Sequence, residues 1–215
     1  MMSDTAMSTT YQLLAGHPAL DFVNTLDNRF SEAGPSELVN SYADLLSFSR
    51  QTRLLDPAQV ATLAGREESA KAQSAKAAGV LRVARELREE LASLLYLVLD
   101  EPRQPRSLDM TPLQRHFRRA DEHRELVWGG AGDDAPRAYW QWGSFASELE
   151  LPLWAIALSA ESLLTSPAME HVRMCGSETC RWLFYDTSKN HSRRWCDMKL
   201  CGNRMKARRF QKRRD

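Results

Sequence analysis

The chain is 215 residues long, 43% hydrophobic and 27% charged, with a mean hydropathy of −0.49; this is the composition of a globular protein of one or two domains, long enough to bury a core, and it excludes collagen-like and disulfide-scaffold classes. Its most apolar stretch, Leu91 to Leu99, spans nine residues, about half of what a bilayer requires, and Met1-Met2-Ser3-Asp4-Thr5 has neither the basic nor the apolar region of a secretory leader, so the expected setting is the reducing cytoplasm with no membrane partner. The net charge of +1 conceals a split: residues 171–215 hold 13 Lys/Arg against 4 Asp/Glu, whereas residues 1–170 hold 16 against 24, the asymmetry of a basic module that meets a polyanion or of a solvated basic tail.

In chain order, the first feature is Gly16-His17-Pro18-Ala19-Leu20-Asp21-Phe22-Val23-Asn24-Thr25. On a helix, His17, Asp21, Asn24 and Asn28 share one face, while Leu20, Val23 and Phe30 take another. A row of hydrogen-bonding groups on a half-buried helix can line a small-molecule pocket, so His17, Asp21 and Asn24 are candidate ligand contacts. Capping, a buried polar network or a wet face would use the same residues without a ligand. Gly34-Pro35-Ser36-Glu37 predicts a helix start, followed by Leu38, Val39, Tyr42, Leu45 and Leu46. Asp56-Pro57 predicts another: an N-cap followed by proline at the first helical position. Ser69 to Ala78 is rich in Ala, Lys, Gln and Ser and reads as a polar helix or a loose connection.

The strongest helix is predicted from about Val80 to Leu99. Val80, Ala84, Leu87, Leu91, Leu94 and Val98 fall on one stripe, widened by Leu81, Leu95 and Leu99, which makes this the expected central helix. Residues 100–106 carry two prolines and form a connector. Thr111-Pro112 predicts a helix with Leu113, Phe117, Ala120, Arg124 and Val127 on one face. Tyr139-Trp140-Gln141-Trp142 alternates and is expected to pair with Leu126-Val127-Trp128 across a loop from Gly129 to Pro136. Leu151-Pro152 opens a last helix that stops at Ser166-Pro167. His116 and His123 lack the companion ligands of a metal site.

The cysteines carry the clearest chemistry. Cys175 and Cys180 form one close pair, Cys196 and Cys201 another, with 15 residues between the pairs. Each short pair can fold into a knuckle that aims two thiolates at one point, and the spacer returns the chain, so four soft sulfurs close a tetrahedron on one Zn²⁺. Disulfides would need an oxidising compartment, and free thiols would not explain the pairing. Four thiolates leave no open position for water or substrate, so the zinc is expected to be structural. His171 or His191 could replace one cysteine. The spacer predicts a hairpin: strand Arg181–Tyr185, turn Asp186–Asn190, return strand Arg193–Trp195. A final helix follows Cys201, with Asn203 as its N-cap.

The basic residues have a usable geometry. Arg204, Arg208 and Lys212 share a face of the last helix, with Lys206 nearby, and Arg209 and Arg213 form a neighbouring row; Lys189, Arg193 and Arg194 add charge from the hairpin. Arginine suits bidentate recognition of phosphate or guanine. Docking in the DNA major groove would use the helix; stacking of Trp182, Tyr185 and Trp195 on unpaired bases would instead suit RNA, though packing on the knuckles is the better use of these rings.

Cys201-Gly202-Asn203-Arg204, preceded by residues 184–190 and 193–196, resembles the CGNR zinc finger of bacterial proteins. Leu20-Asp21-Phe22-Val23-Asn24-Thr25 resembles the start of the ABATE domain that precedes that finger. The resemblance implies a stress-induced bacterial transcription regulator, with the finger on DNA and the helical domain sensing a ligand or stress.

The expected architecture is therefore mainly α: a helical domain over residues 1–168 with one short β-hairpin, then a treble-clef-like four-cysteine zinc finger over residues 169–215. The expected function is a non-enzymatic DNA-binding regulator, with a small-molecule effector and homodimerisation as further expectations. The alternatives are a ligand-binding or enzymatic helical domain under a structural zinc lid, and an RNA-binding protein. No nucleophile–base pair, phosphate loop or open metal site supports catalysis.

Overall fold

Short local signals decide where most of the helices begin. In the computed structural model, which describes residues 9–100, 107–129 and 136–211 and all their side chains except that of Arg209, Pro57, Pro112 and Pro152 each stand in the first turn of a helix, where the N–H that proline lacks has no partner anyway. Helix α1 covers Pro18–Val23, α2 Tyr42–Gln51, α3 Pro57–Glu68, α4 Lys71–Asp100, α5 Thr111–Asp121 and α6 Leu151–Thr165. Asp56 caps α3 as predicted, accepting a 2.8 Å hydrogen bond from the Gln59 N–H.

The start of α2 differs from the sequence reading. Ser36–Glu37 is not a helix start but a short strand, β2, antiparallel to β1 at Leu26–Asp27. Ser41 begins the helix instead: its Oγ accepts from the Asp44 N–H at 3.1 Å, and the Asp44 carboxylate accepts from the Ser41 N–H at 2.9 Å, a reciprocal cap. What keeps residues 36–37 extended is a distant partner. Arg88, 3% exposed in the middle of α4, donates to both Glu37 carboxylate oxygens at 2.6 and 2.7 Å and to Thr25 Oγ1 at 3.1 Å. Burial alone would raise the Glu37 carboxyl; the hydrogen bonds from Arg88 and Val39 and the charges of Arg88 and Arg85 together outweigh it and hold the group below its ordinary value.

The predicted helix at Val80–Leu99 is present but longer. It begins at Lys71, so most of the polar stretch Ser69–Ala78 is its first turns, and its 30 residues span about 45 Å. Its buried stripe is Ala77, Val80, Ala84, Leu87, Leu91 and Leu95, with Arg88 among them. The centre of the molecule is nevertheless α6. This helix is strongly apolar, is buried at every residue from Leu151 to Ala157 and again at Ala160 and Leu163, has only Ser159, Glu161 and Ser162 as polar residues before Leu163, and packs on α1, α2, α4 and α5.

Two further corrections concern helix ends. α1 is only six residues long, so Asn28, at a φ of 51° in the turn after β1, does not share a face with His17, Asp21 and Asn24, and Phe30 lies beyond the helix as well. α5 ends at Asp121, so Arg124 and Val127 leave its face; Val127 instead enters β3 (Glu125–Gly129), which pairs with β4 (Arg137–Gln141). Leu126 faces Trp140 and Val127 faces Tyr139 across this ribbon, as the alternation predicts. Residues 101–106 of the predicted connector and 130–135 of the predicted loop lie outside the described residues.

The last ribbon joins the two halves of the molecule. Strand β6 is Leu183–Tyr185, and its antiparallel partner is β5, Val172–Met174; the predicted return strand at Arg193–Trp195 does not form. The reason lies in alternation. Val172 and Leu183 are fully buried in the core of the helical body, whereas Phe184, the neighbour of Leu183, is fully buried among the cysteines. A two-stranded ribbon is marginal alone. Here one face completes the body and the other completes the finger.

Candidate metal centre and nucleic-acid surface

Two knuckles bring the cysteines together. In the first, the Ser177 carbonyl accepts from the N–H groups of Cys180 and Arg181, each at 3.0 Å, and Arg181 at a φ of 51° turns the chain into β6. The Cys175 N–H donates to the Trp182 carbonyl at 2.8 Å, extending the ribbon to the first sulfur. In the second, the Asp197 carboxylate accepts from the Leu200 N–H at 2.8 Å and the Asp197 carbonyl from the Gly202 N–H at 3.1 Å. That winds one π-helical turn, Met198–Gly202, which carries Cys201 and runs on into α7, Asn203–Gln211. Asp197 therefore caps this helical segment, and Asn203, predicted as the cap, sits one turn inside it. A Cβ on Gly202 would overlap Met198 Sδ and lie 3.2 Å from the Trp195 ring, and one on Gly176 would lie 3.2 Å from the same ring. The glycine of the Cys201-Gly202-Asn203-Arg204 run thus makes room for Met198 and Trp195.

All four Sγ atoms lie within 4.8 Å of one another, with Cys180–Cys196 at 3.7 Å and Cys196–Cys201 at 3.6 Å. A regular tetrahedron with zinc–sulfur bonds of about 2.3 Å has edges of about 3.8 Å, so the cysteines fit one Zn²⁺ as they stand. Cys175, Cys196 and Cys201 are buried. Hydrogen bonds from Cys180 and Cys196 hold the Cys175 thiol far below its ordinary value, while hydrogen bonding to Cys175 pushes Cys180 and Cys196 up and burial pushes Cys201 up; a bound cation would favour the thiolate at all four. Four sulfurs fill the coordination sphere, so bound zinc supplies a cross-link between the knuckles. His171 and His191 are not part of the cluster; their rings stack on each other 3.8 Å apart, and His191 Nδ1 lies 3.0 Å from the Asp186 carbonyl.

Comparison with known families agrees with this geometry. The CGNR zinc-finger family matches residues 171–214, and the ABATE family, described as "Putative stress-induced transcription regulator", matches residues 16–167. The chain belongs to the ABATE family. No curated protein matches it.

The basic side chains of the CGNR finger divide into two groups. Arg193 belongs to the finger's own structure: its guanidinium lies 4.4 Å over the Phe184 ring and donates to the carbonyls of Trp195, at 2.9 Å, and Cys196. Lys189, Arg194, Arg204, Lys206 and Arg208 are exposed, and among the described residues none of them meets a carboxylate. Helix α7 has no buried residue among those described. The Arg209 side chain and Lys212 lie outside the described residues. The rings are less available: Trp182 is 9% exposed and donates its indole N–H to Asp27 at 2.8 Å, and Trp195, like Tyr185, is half-buried.

The polar row of α1 lies at the junction between the ABATE body and the finger. His17 caps the helix, its Nδ1 accepting from the Ala19 N–H at 3.3 Å. Asp21 accepts from the Ala15 N–H at 2.9 Å, and burial pushes its carboxyl up to about 6 against the pull of that bond. Asn24 treats β6 as a strand partner: its Nδ2 donates to the Leu183 carbonyl at 2.9 Å, and its Oδ1 accepts from the Leu183 N–H at 3.0 Å. Asp21 and Asn24 also border a cavity of about 260 Å³ that His17 does not reach. Sequence reasoning missed Asp27 and Arg181, which fasten the same junction. Arg181 donates to Asp100 at 2.7 and 2.8 Å and covers the Phe30 ring at 4.5 Å.

Among the described residues no helix is long and apolar enough to cross a membrane.

Proposed function

We propose that this ABATE protein is a zinc-dependent, DNA-binding transcription regulator in which residues 169–215 grip the duplex and residues 1–168 receive a small-molecule or stress signal. The observation that carries the reading is the exposed helix α7. A nine-residue helix has little stability of its own in water, and none of the described residues of α7 is buried; this one is anchored at Cys201 and presents Arg204, Lys206 and Arg208 to solvent. The lid alternative needs those cations to face the acidic body. Acids of the body that could serve have other partners: Asp27, which lines one cleft with Arg204, accepts from the Trp182 indole, Glu148 and Glu150 engage Lys76, and Asp121 engages Arg124. Of the tryptophans that would stack on unpaired RNA bases, Trp182 is buried and Trp195 is half-buried against the cysteine cluster, which favours duplex backbone contacts. The thiolate centre suits a reducing cytoplasm, and the reading assigns the protein binding and no catalysis.

The test is titration of a labelled DNA duplex with the zinc-loaded full chain at several salt concentrations. Three to five phosphate contacts give a slope of log K against log salt of about −3 to −4.5. Arg208→Ala lowers that slope by about 1 if the arginine meets a phosphate. No salt-dependent binding at about 50 mM salt, where such contacts are strongest, would overturn the reading.

A further inference from the structure

A second cavity lies apart from the one beside α1. It has a volume of about 600 Å³ and lies between α4, α5 and α6, with Val80, Val83, Leu153 and Trp154 on its apolar walls. That size and lining are those of small-molecule sites, which in helical folds lie between helices.

Its charges nearly cancel. Lys76 pairs with Glu148 and Glu150 at 3.1 and 2.9 Å, Arg82 pairs with Glu86, and Arg115 pairs with Glu90. Arg119 also lines the cavity, and among the described residues its guanidinium has no carboxylate partner. The named charges sum to zero, and because Lys76 takes two carboxylates, Arg119 is the lining cation left without one. A second donor is nearby: Trp154 is 3% exposed, and its indole N–H has no acceptor among the described residues. A buried N–H without a partner is rare enough to need a reason. The third observation is Gly79, on the α4 wall. A Cβ built there meets nothing within 4 Å. Glycine in a helix interior is unfavourable relative to alanine, and no neighbour demands it here; its effect is to leave room in the cavity.

We propose that this cavity binds one monoanionic, apolar-bodied organic acid of aromatic-ring dimensions, with its carboxylate toward Arg119 and its body against Val80, Val83 and Leu153. A dianion is disfavoured because Arg119 is the one lining cation without a carboxylate among the described residues, and Glu86 and Glu150 stand on the wall. The Trp154 N–H is the available second donor. The site stands apart from DNA binding; only its use as the signal input rests on the regulator reading.

Calorimetric titration of the zinc-loaded full chain with 1-naphthoate tests it, with 1-naphthalenemethanol as the neutral counterpart. The expected result is one saturable site per chain for the acid, with binding of the alcohol weaker by about tenfold or more, the loss of a charge-assisted hydrogen bond. Arg119→Gln, on an exposed side chain, weakens the acid to the level of the alcohol. Gly79→Leu fills the cavity and abolishes both, while Gly79→Ala melts no lower than the native chain. Absence of saturable binding overturns the proposal. So does naphthoate binding that Arg119→Gln leaves unchanged, which would put the probe on other apolar surface such as the exposed Leu126 and Trp128 of β3. Neither outcome depends on whether the finger binds DNA.

Discussion

The helical body and the finger are held together by different physics. The body has a continuous core that runs from Tyr11 to Leu183 and includes Phe22, Phe48, Leu91 and Ile156, all but Tyr11 fully buried. The finger's buried cluster is Trp182, Phe184 and three cysteines. Apolar burial of that small extent cannot fix some forty residues, so the finger depends on its metal and on hydrogen bonds such as those that commit Arg193 and Asp186 to its loop. The contrast explains the charge split as well. A finger ordered by metal can leave its outer surface basic, because no core residue is drawn from α7.

Removing the metal is the strongest way to break that comparison. Zinc in finger peptides contributes an apparent binding energy of about 10–16 kcal/mol, far above what the small cluster supplies. Chelation is expected to unfold the finger while the helical circular dichroism of the body largely remains. Elemental analysis should find one zinc per chain, and Cys196→Ser with Cys201→Ser should remove it. If the body's helices melt together with the finger on chelation, the two regions are one cooperative unit and the contrast fails.

The next experiment acts on the seam. Asn24 satisfies both the N–H and the carbonyl of Leu183, 159 residues away. Asn24→Leu leaves two buried backbone groups unpaired, at about 1–3 kcal/mol each. Denaturant unfolding should show a loss of about 2–6 kcal/mol, with zinc content unchanged if the finger is metal-held. Loss of zinc in this variant would mean that the seam, and not the metal alone, positions the knuckles.

The reach of each contact also separates what was legible in the sequence from what was not. Pro57, Pro112 and Pro152 mark helix starts because capping and proline geometry act within one turn. The zinc ligands were legible for the same reason: each knuckle spans a few residues, and thiolate chemistry needs no other context. The start of α2 was misread because Glu37 stays extended for Arg88, 51 residues on. The partner of β6 was misread because Leu183 must enter a core built by α1 and α6, and no local spacing records that. His17, Asp21 and Asn24 were singled out by their spacing, yet the backbone groups they engage at Ala15 and Leu183 could be seen only after folding.

The smallest expected effect concerns pH, and it gives the two regions opposite signs. The finger's zinc needs deprotonated sulfur, so acidification weakens it. Asp21 works the other way. Burial raises its carboxyl to about 6 in the folded chain, whereas in the unfolded chain it titrates near 3.9. The folded state therefore holds this proton more tightly. The resulting stabilisation is complete below about pH 4 and is lost as pH rises through about 6, because over that interval the native chain binds more protons than the unfolded one. A gap of about two pKa units corresponds to about 3 kcal/mol at most. Asp21→Asn keeps the side-chain carbonyl that accepts from Ala15 and removes the titration. The stability difference between native chain and variant, measured by denaturant unfolding at fixed zinc, should thus move against the native chain by up to about 3 kcal/mol between pH 4 and pH 7. A difference that stays flat across this range would mean that Asp21 is solvated in the folded protein, and that the junction beneath the finger is wetter than the body's core.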